Sequence, residues 1–137
     1  MSERFRDLFA AMEDHYETKL GTSYQVFHRS AGSLSRQDIK GSVLLTLGSG
    51  RRNRDESDLG NPVNELVVIA CLSGTGIGAM EQDLAVEDLL VLLIDATEEH
   101  GSPPFGITEV EWAFVESFQK IAPGEIDANI AVRLWTE

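Results

Sequence analysis

The sequence predicts an α+β domain, a mainly antiparallel sheet with two helices packed on one face. Three observations predict it. Two stretches, near the start and over residues 80–99, carry apolar residues in the pattern and length of helices. Several others run or alternate apolar over strand lengths, EIDANIAVRLW most cleanly. The order is helix, short strand, hairpin, helix, hairpin, which suits helices grouped on one face of an antiparallel sheet. At 137 residues the chain is expected to form one domain, residues 1–137, around one core.

Residues 2–20 read as an amphipathic helix, with Phe5, Leu8, Phe9, Met12 and Tyr16 on one stripe. Ser2 suits the N-cap, Lys19 the last turn, and Gly21 the stop. SYQVFHR has room for a short strand, and the polar SAGSLSRQDIKG is a connection. SVLLTLG, residues 42–48, is a strand ending at Gly48-Ser49-Gly50. Residues 49–64 follow as a long polar loop, a length that is usually functional or disordered in a compact domain. ELVVIACL is apolar on both parities, so it belongs at the centre of the sheet. After a glycine loop, residues 80–99 read as a long helix. Leu84, Leu89, Leu92, Leu93 and Ala96 form one face, and Val86, Leu90, Val91 and Ile94 a second apolar arc. A strand over LLVLLI is the competing reading.

GSPPFGI is a loop, because its two prolines suit neither a helix interior nor a central strand. EVEWAFVESFQ places Val110, Trp112, Phe114 and Phe118 at period two and reads as a strand. Thr108 and Glu111 make a capping-box pattern that supports a helix instead. Pro123-Gly124 turns the chain. In the closing strand Ile126, Ala128, Ile130, Val132 and Leu134 face inward.

The net charge of −12 argues against sequence-independent binding to nucleic acid or anionic lipid. The amino terminus carries acids and no unbroken apolar run, which excludes a secretory signal, and no segment is apolar over the length of a bilayer. The lone Cys71 has no internal disulfide partner and reads as a small core residue in a reducing compartment. Charge is unevenly placed. Residues 1–54 hold nine Lys/Arg against six Asp/Glu, whereas residues 55–119 hold fourteen acids and no Lys or Arg. One reading is solubility; the other is that the basic part of one copy meets the acidic part of another.

The motif closest to chemistry is Gly74-Thr75-Gly76-Ile77-Gly78-Ala79, a G-x-G-x-x-A run between strand and helix. The following Glu81 and Asp83 would repel a pyrophosphate, and the second parallel strand of a dinucleotide fold is missing. His15, His28 and His100 are scattered, and Glu81, Asp83, Glu87 and Asp88 read as a solvated helix face. No catalytic, cofactor or metal site is therefore expected.

The element order resembles the tail terminator, or tail completion, proteins of long-tailed bacteriophages of the lambda kind. The runs SVLLTLGSGRRNRDESDLGNPVNELVVIACL, DLLVLLIDATEEHG and EIDANIAVRLWTE also look like a small protein of Mu-like prophages encoded near the tail genes. The likeness covers residues 40–136 in pattern and the whole chain in element order; the SGTGIGAM loop departs from it by its extra glycines. It implies a non-enzymatic homo-oligomer, usually a hexameric ring, that caps the tail tube and supports head joining. The implied partners are the tail tube and head–tail connector proteins, and the implied location is the cytoplasm of a bacterial host until assembly into the virion. Arg51, Arg52 and Arg54 are the candidates for contact with a neighbour or the tail tube. Val86, Leu90, Val91 and Ile94 are candidates for a subunit or layer interface. The alternative is a small cytoplasmic protein-binding or regulatory module with a groove between helix and sheet.

Overall fold

A computed structural model describes residues 2–21, 24–27, 42–53, 63–99 and 103–135. The apolar stripe near the start forms helix α1 (Ser2–Leu20). Leu8, Phe9, Met12, Tyr16 and Leu20 are buried along it, while the side chain of Phe5 lies outside the described residues. Gly21 ends the helix at φ +85°, a left-handed conformation that costs a glycine little.

Among the described residues five strands make one sheet: β1 (Gln25–Phe27), β2 (Ser42–Asn53), β3 (Val63–Ser73), β4 (Val110–Ala122) and β5 (Glu125–Trp135), in the spatial order β1-β2-β3-β5-β4. β1 runs parallel to β2, and every other neighbouring pair is antiparallel. β5 inserts between β3 and β4. These two strands are thus parallel, and helix α2 (Ala79–Thr97) crosses over between them.

Both helices pack on one face, so the architecture is α+β. On that face Leu66, Val68, Ala70 and Leu72 of β3 line up with Ile126, Ala128, Ile130, Val132 and Leu134 of β5 and with Val43 and Leu45 of β2. Against them lie the buried residues of α1 together with Val86, Leu89, Leu90 and Leu93 of α2. The alternate residues, among them Glu65, Val67, Ile69 and Cys71 of β3, point away from the helices and are only half-buried.

Several expectations change. β2 does not stop at its glycines. It runs to Asn53 through a bulge between Leu47 and Ser49, and β3 begins at Val63. The expected 49–64 loop is therefore shorter, and residues 54–62 lie outside the described part. A bulge absorbs one residue without breaking the ladder, and glycine tolerates it well. On α2 the buried stripe is Val86, Leu89, Leu90, Leu93, Ala96 and Thr97, whereas Leu84 and Leu92 are exposed. Cys71 sits half-buried on the open face rather than in the core.

β4 is a strand, and the capping-box helix does not form. Its expected one-sided stripe is split between faces by bulges between Val110 and Trp112 and between Val115 and Ser117. Val110 and Phe118 pair with the inward Leu134 and Ala128, and Trp112 and Phe114 with the outward Arg133 and Ala131. Each bulge shifts the period-two alternation by one residue.

Candidate functional site

The glycine loop before α2 is filled by the protein itself. Gly74 is buried and donates its N–H to Gly124 O at 2.8 Å. A Cβ on Gly74 would collide with the Gln82 carbonyl oxygen and lie 2.7 Å from Val86 N. One on Gly76 would lie 2.7 Å from Glu81 Cβ. These glycines let the loop pass close to the first turns of α2. The helix start is occupied too, because Glu81 Oε2 accepts the Ile77 N–H at 3.1 Å. A carboxylate there satisfies a free donor and complements the helix dipole. The G-x-G-x-x-A run is thus a packing device in this geometry.

Asp83, expected on a solvated face, ties α2 to the β4–β5 turn. It accepts from Lys120 Nζ at 2.8 Å and from Gly124 N at 2.7 Å. The Lys120 hydrogen bond, then that of Gly124, hold its carboxyl below the usual aspartate pKa. At the other end of α2, Lys19 donates to Glu99 at 2.9 Å and lowers that carboxyl in the same way. His15 donates through Nε2 to the Ala96 carbonyl at 2.7 Å, using one of the helix's last acceptors. Thr97 gives its hydroxyl proton to Leu93 O at 2.7 Å, so Tyr16 must donate to Thr97 Oγ1 across 2.6 Å. Burial raises the Tyr16 phenol pKa above its ordinary value, and the Thr97 bond offsets this only in part. Phe105 packs edge-on to both His15 and Tyr16. It is held at φ +57°, a left-handed conformation rare for an aromatic residue. These contacts dock α1 on the end of α2.

The second apolar arc of α2 divides. Val86 and Leu90 are buried against the sheet, Ile94 is half-buried against the same core, and Val91 is 57% exposed. Three of the four therefore serve the contact between layers. Val91 joins Phe118 along a groove of about 460 Å³ between α2 and β4, with Asp83, Glu87 and Lys120 at its polar rim. Met80, Leu84, Phe114 and Ile121 are further exposed apolar side chains on α2 and β4.

The described arginines of the candidate set stand elsewhere. Arg51 and Arg52 are exposed near the end of β2, and Arg54 lies outside the described residues. Arg51 is on the open face, where its Nη2 meets Glu65 Oε1 at 3.0 Å. Arg133 Nη1 meets the same oxygen at 3.1 Å, and its Nε pairs with Glu111. Trp112 and Phe114 pack beside this group with ring centroids 5.2 Å apart and planes tilted by 40°. The structure thus brings Arg51 together with Glu65, Arg133 and Glu111, partners that sequence reasoning did not single out. Glu65 opening an otherwise apolar strand was the one visible signal. Arg51 and Arg52 do not form one site with the α2 arc.

Among the described residues no group of three or more His, Cys, Asp or Glu side chains is placed to hold a metal ion. None of their helices is long and apolar enough to cross a membrane. No protein-family model matches the chain, and no curated protein matches it significantly.

Proposed function

We propose that this chain is a non-enzymatic structural protein that assembles with copies of itself, as a ring of the tail-terminator type that caps a phage tail tube and supports head joining. The observation that supports this reading is a sheet that, among the described residues, is covered by helices on one face only. Its other face and its β4 edge keep Val67, Ile69, Trp112, Phe114 and Phe118 wholly or partly open to solvent. Apolar surface of this kind, rimmed by polar groups, marks sites of protein association. The uneven charge along the chain supports a contact between unlike surfaces of successive copies. The ring, its place on the tail and its arginine contacts come from the resemblance in element order and pattern.

The test is the mass of the assembled protein by light scattering, alone and with a tail-tube protein. A ring that binds the tube is expected, and a chain that stays monomeric in both conditions overturns the reading. Replacing Arg51, Arg52 and Arg54 by Glu should weaken assembly most at low salt, where surface charges are least screened, and leave the monomer folded. The groove between α2 and β4 favours the second reading, a protein-binding module. That reading predicts a monomer that binds a partner through Val91 and Phe118.

A further inference from the structure

A row of charges crosses the open face of the sheet from edge to edge. It runs Arg51 on β2, Glu65 on β3, Arg133 on β5 and Glu111 on β4, each in contact with the next. The signs alternate, and the ends differ. The row starts with an arginine whose side chain is 68% exposed and finishes with a glutamate that is 44% exposed. In register the level of Arg51, Glu65 and Arg133 ends on β4 at Trp112, with Glu111 the bulged residue beside it; the neighbouring row in register is Ser49, Val67, Ala131 and Phe114. It ends in the exposed Phe114 at one edge and in Ser49, flanked by Gly48 and Gly50, at the other.

Among the described residues both edges are open over most of their length. Among the described residues β4 has no strand on its outer side, and β1 pairs only with Ser42, Val43 and Leu44 of β2. Among the described residues, 45–53 thus have one strand neighbour, β3. The successive antiparallel pairings make β4 run opposite to β2. A second copy set beside the first in the same orientation therefore presents β2 antiparallel to β4, with all helices on one side. In the register that sets Ser49 of the second copy against Phe114, its Arg51 comes level with Trp112, next to the bulged Glu111. Phe114 faces the small side chain of Ser49, where no bulky group stands in the way.

We propose that copies join head to tail by extension of the sheet, the outer edge of β4 pairing antiparallel with residues 45–53 of the next copy and Glu111 meeting that copy's Arg51. The proposal rests on the reading of the chain as self-assembling and names the surfaces. Pairing β4 with β4 leaves the arginine end of the row without a partner, and pairing β2 with β2 leaves the glutamate end without one. Only the unlike contact continues the alternation, and it repeats from copy to copy. An open edge is a template for pairing, and this one is partly occupied. Glu98 Oε2 accepts the Val115 N–H at 3.1 Å, on an exposed side chain that a carbonyl of the next copy would displace.

The test uses two substitutions at exposed positions, Ser49→Lys on the β2 edge and Phe114→Lys on the β4 edge. Each should reduce the wild-type assembly to the 15.1 kDa monomer in sedimentation, with an unchanged far-UV spectrum. Mixed one to one, each variant retains the edge the other lacks, so the mixture should reach twice the monomer mass and stop. Glu98→Ala, which spoils neither edge, should shift assembly to lower concentration and serves if either lysine variant fails to fold. Ser49→Lys assembling as wild type, an inert mixture, or a wild type monomeric at every concentration overturns the head-to-tail contact. Binding of the assembled wild type to a tail-tube protein is scored separately. Sheet extension without tube binding sinks the tail-terminator reading alone, and tube-binding rings indifferent to both lysines sink the edge contact alone.

Discussion

The two faces of the sheet are built from the same strands and differ in what covers them. On β3, Leu66, Val68, Ala70 and Leu72 are buried under the helices, while Val67, Ile69 and Cys71, one step away, are half-buried. The covered face gets its stability from packing, since each buried aliphatic side chain contributes roughly 1.5–3 kcal/mol. The open face is organised by a line of four charges and a pair of aromatic rings in tilted contact. Exposed ion pairs add little to stability. A face that the described helices leave uncovered and that carries Val, Ile, Trp and Phe is apolar surface of the kind that association sites use.

The largest expected effect is on the covered face. Leu93→Ala removes a fully buried side chain of α2 and should cost about 2–5 kcal/mol in urea unfolding. Ile69→Ala on the open face should cost less than about 1.5 kcal/mol, since its site is already partly solvated. Equal losses would erase the distinction between the faces.

Next comes the buried hydroxyl pair. Thr97→Val leaves the Tyr16 hydroxyl without its acceptor and should cost about 1–3 kcal/mol. Tyr16→Phe leaves Thr97 still bonded to Leu93 O and should cost only about 0.5–1.5 kcal/mol. The reverse order in chemical denaturation would mean that Tyr16 has another acceptor.

A smaller effect depends on pH. The Asp83 carboxyl is held below its ordinary pKa by Lys120 and Gly124. A depressed acid stabilises the fold above its unfolded pKa, and the contribution fades as pH falls through the folded one. Asp83→Asn should therefore lower the thermal midpoint at neutral pH, and the gap to wild type should close as pH drops below the ordinary aspartate value of about 3.9. A gap independent of pH would assign the loss to something other than charge.

The smallest effect on the monomer belongs to the edge of the open face. Arg51→Gln breaks one exposed ion pair and should change folding stability by less than about 1 kcal/mol. The same change should measurably raise the concentration needed for assembly. A large loss of monomer stability would make the charge row a structural brace instead.

Much of this was legible along the chain. The α1 stripe, the Gly21 stop and the inward set of β5 follow from periods of 3.6 and two acting on residues close in sequence. Other features were not, because they depend on which strand lies next to which. The insertion of β5 between β3 and β4 puts Arg133 between Glu65 and Glu111, residues 68 and 22 positions away in the chain. The bulges in β4 split an apparent stripe between two faces, since only the partner strand shows where an extra residue is absorbed. The arc of α2 looked surplus because a helix wheel shows one helix alone. The sheet beneath it takes Val86 and Leu90, and leaves Val91 outside. Local spacing thus marked α1 and β5 and which of their sides is apolar, because those preferences act within a few residues, whereas it left β4 and the end of α2 with competing readings and ended β2 too early. Neighbours, registers, bulges and the choice of which face stays open were decided in three dimensions, where residues far apart in the chain compete for the same contacts.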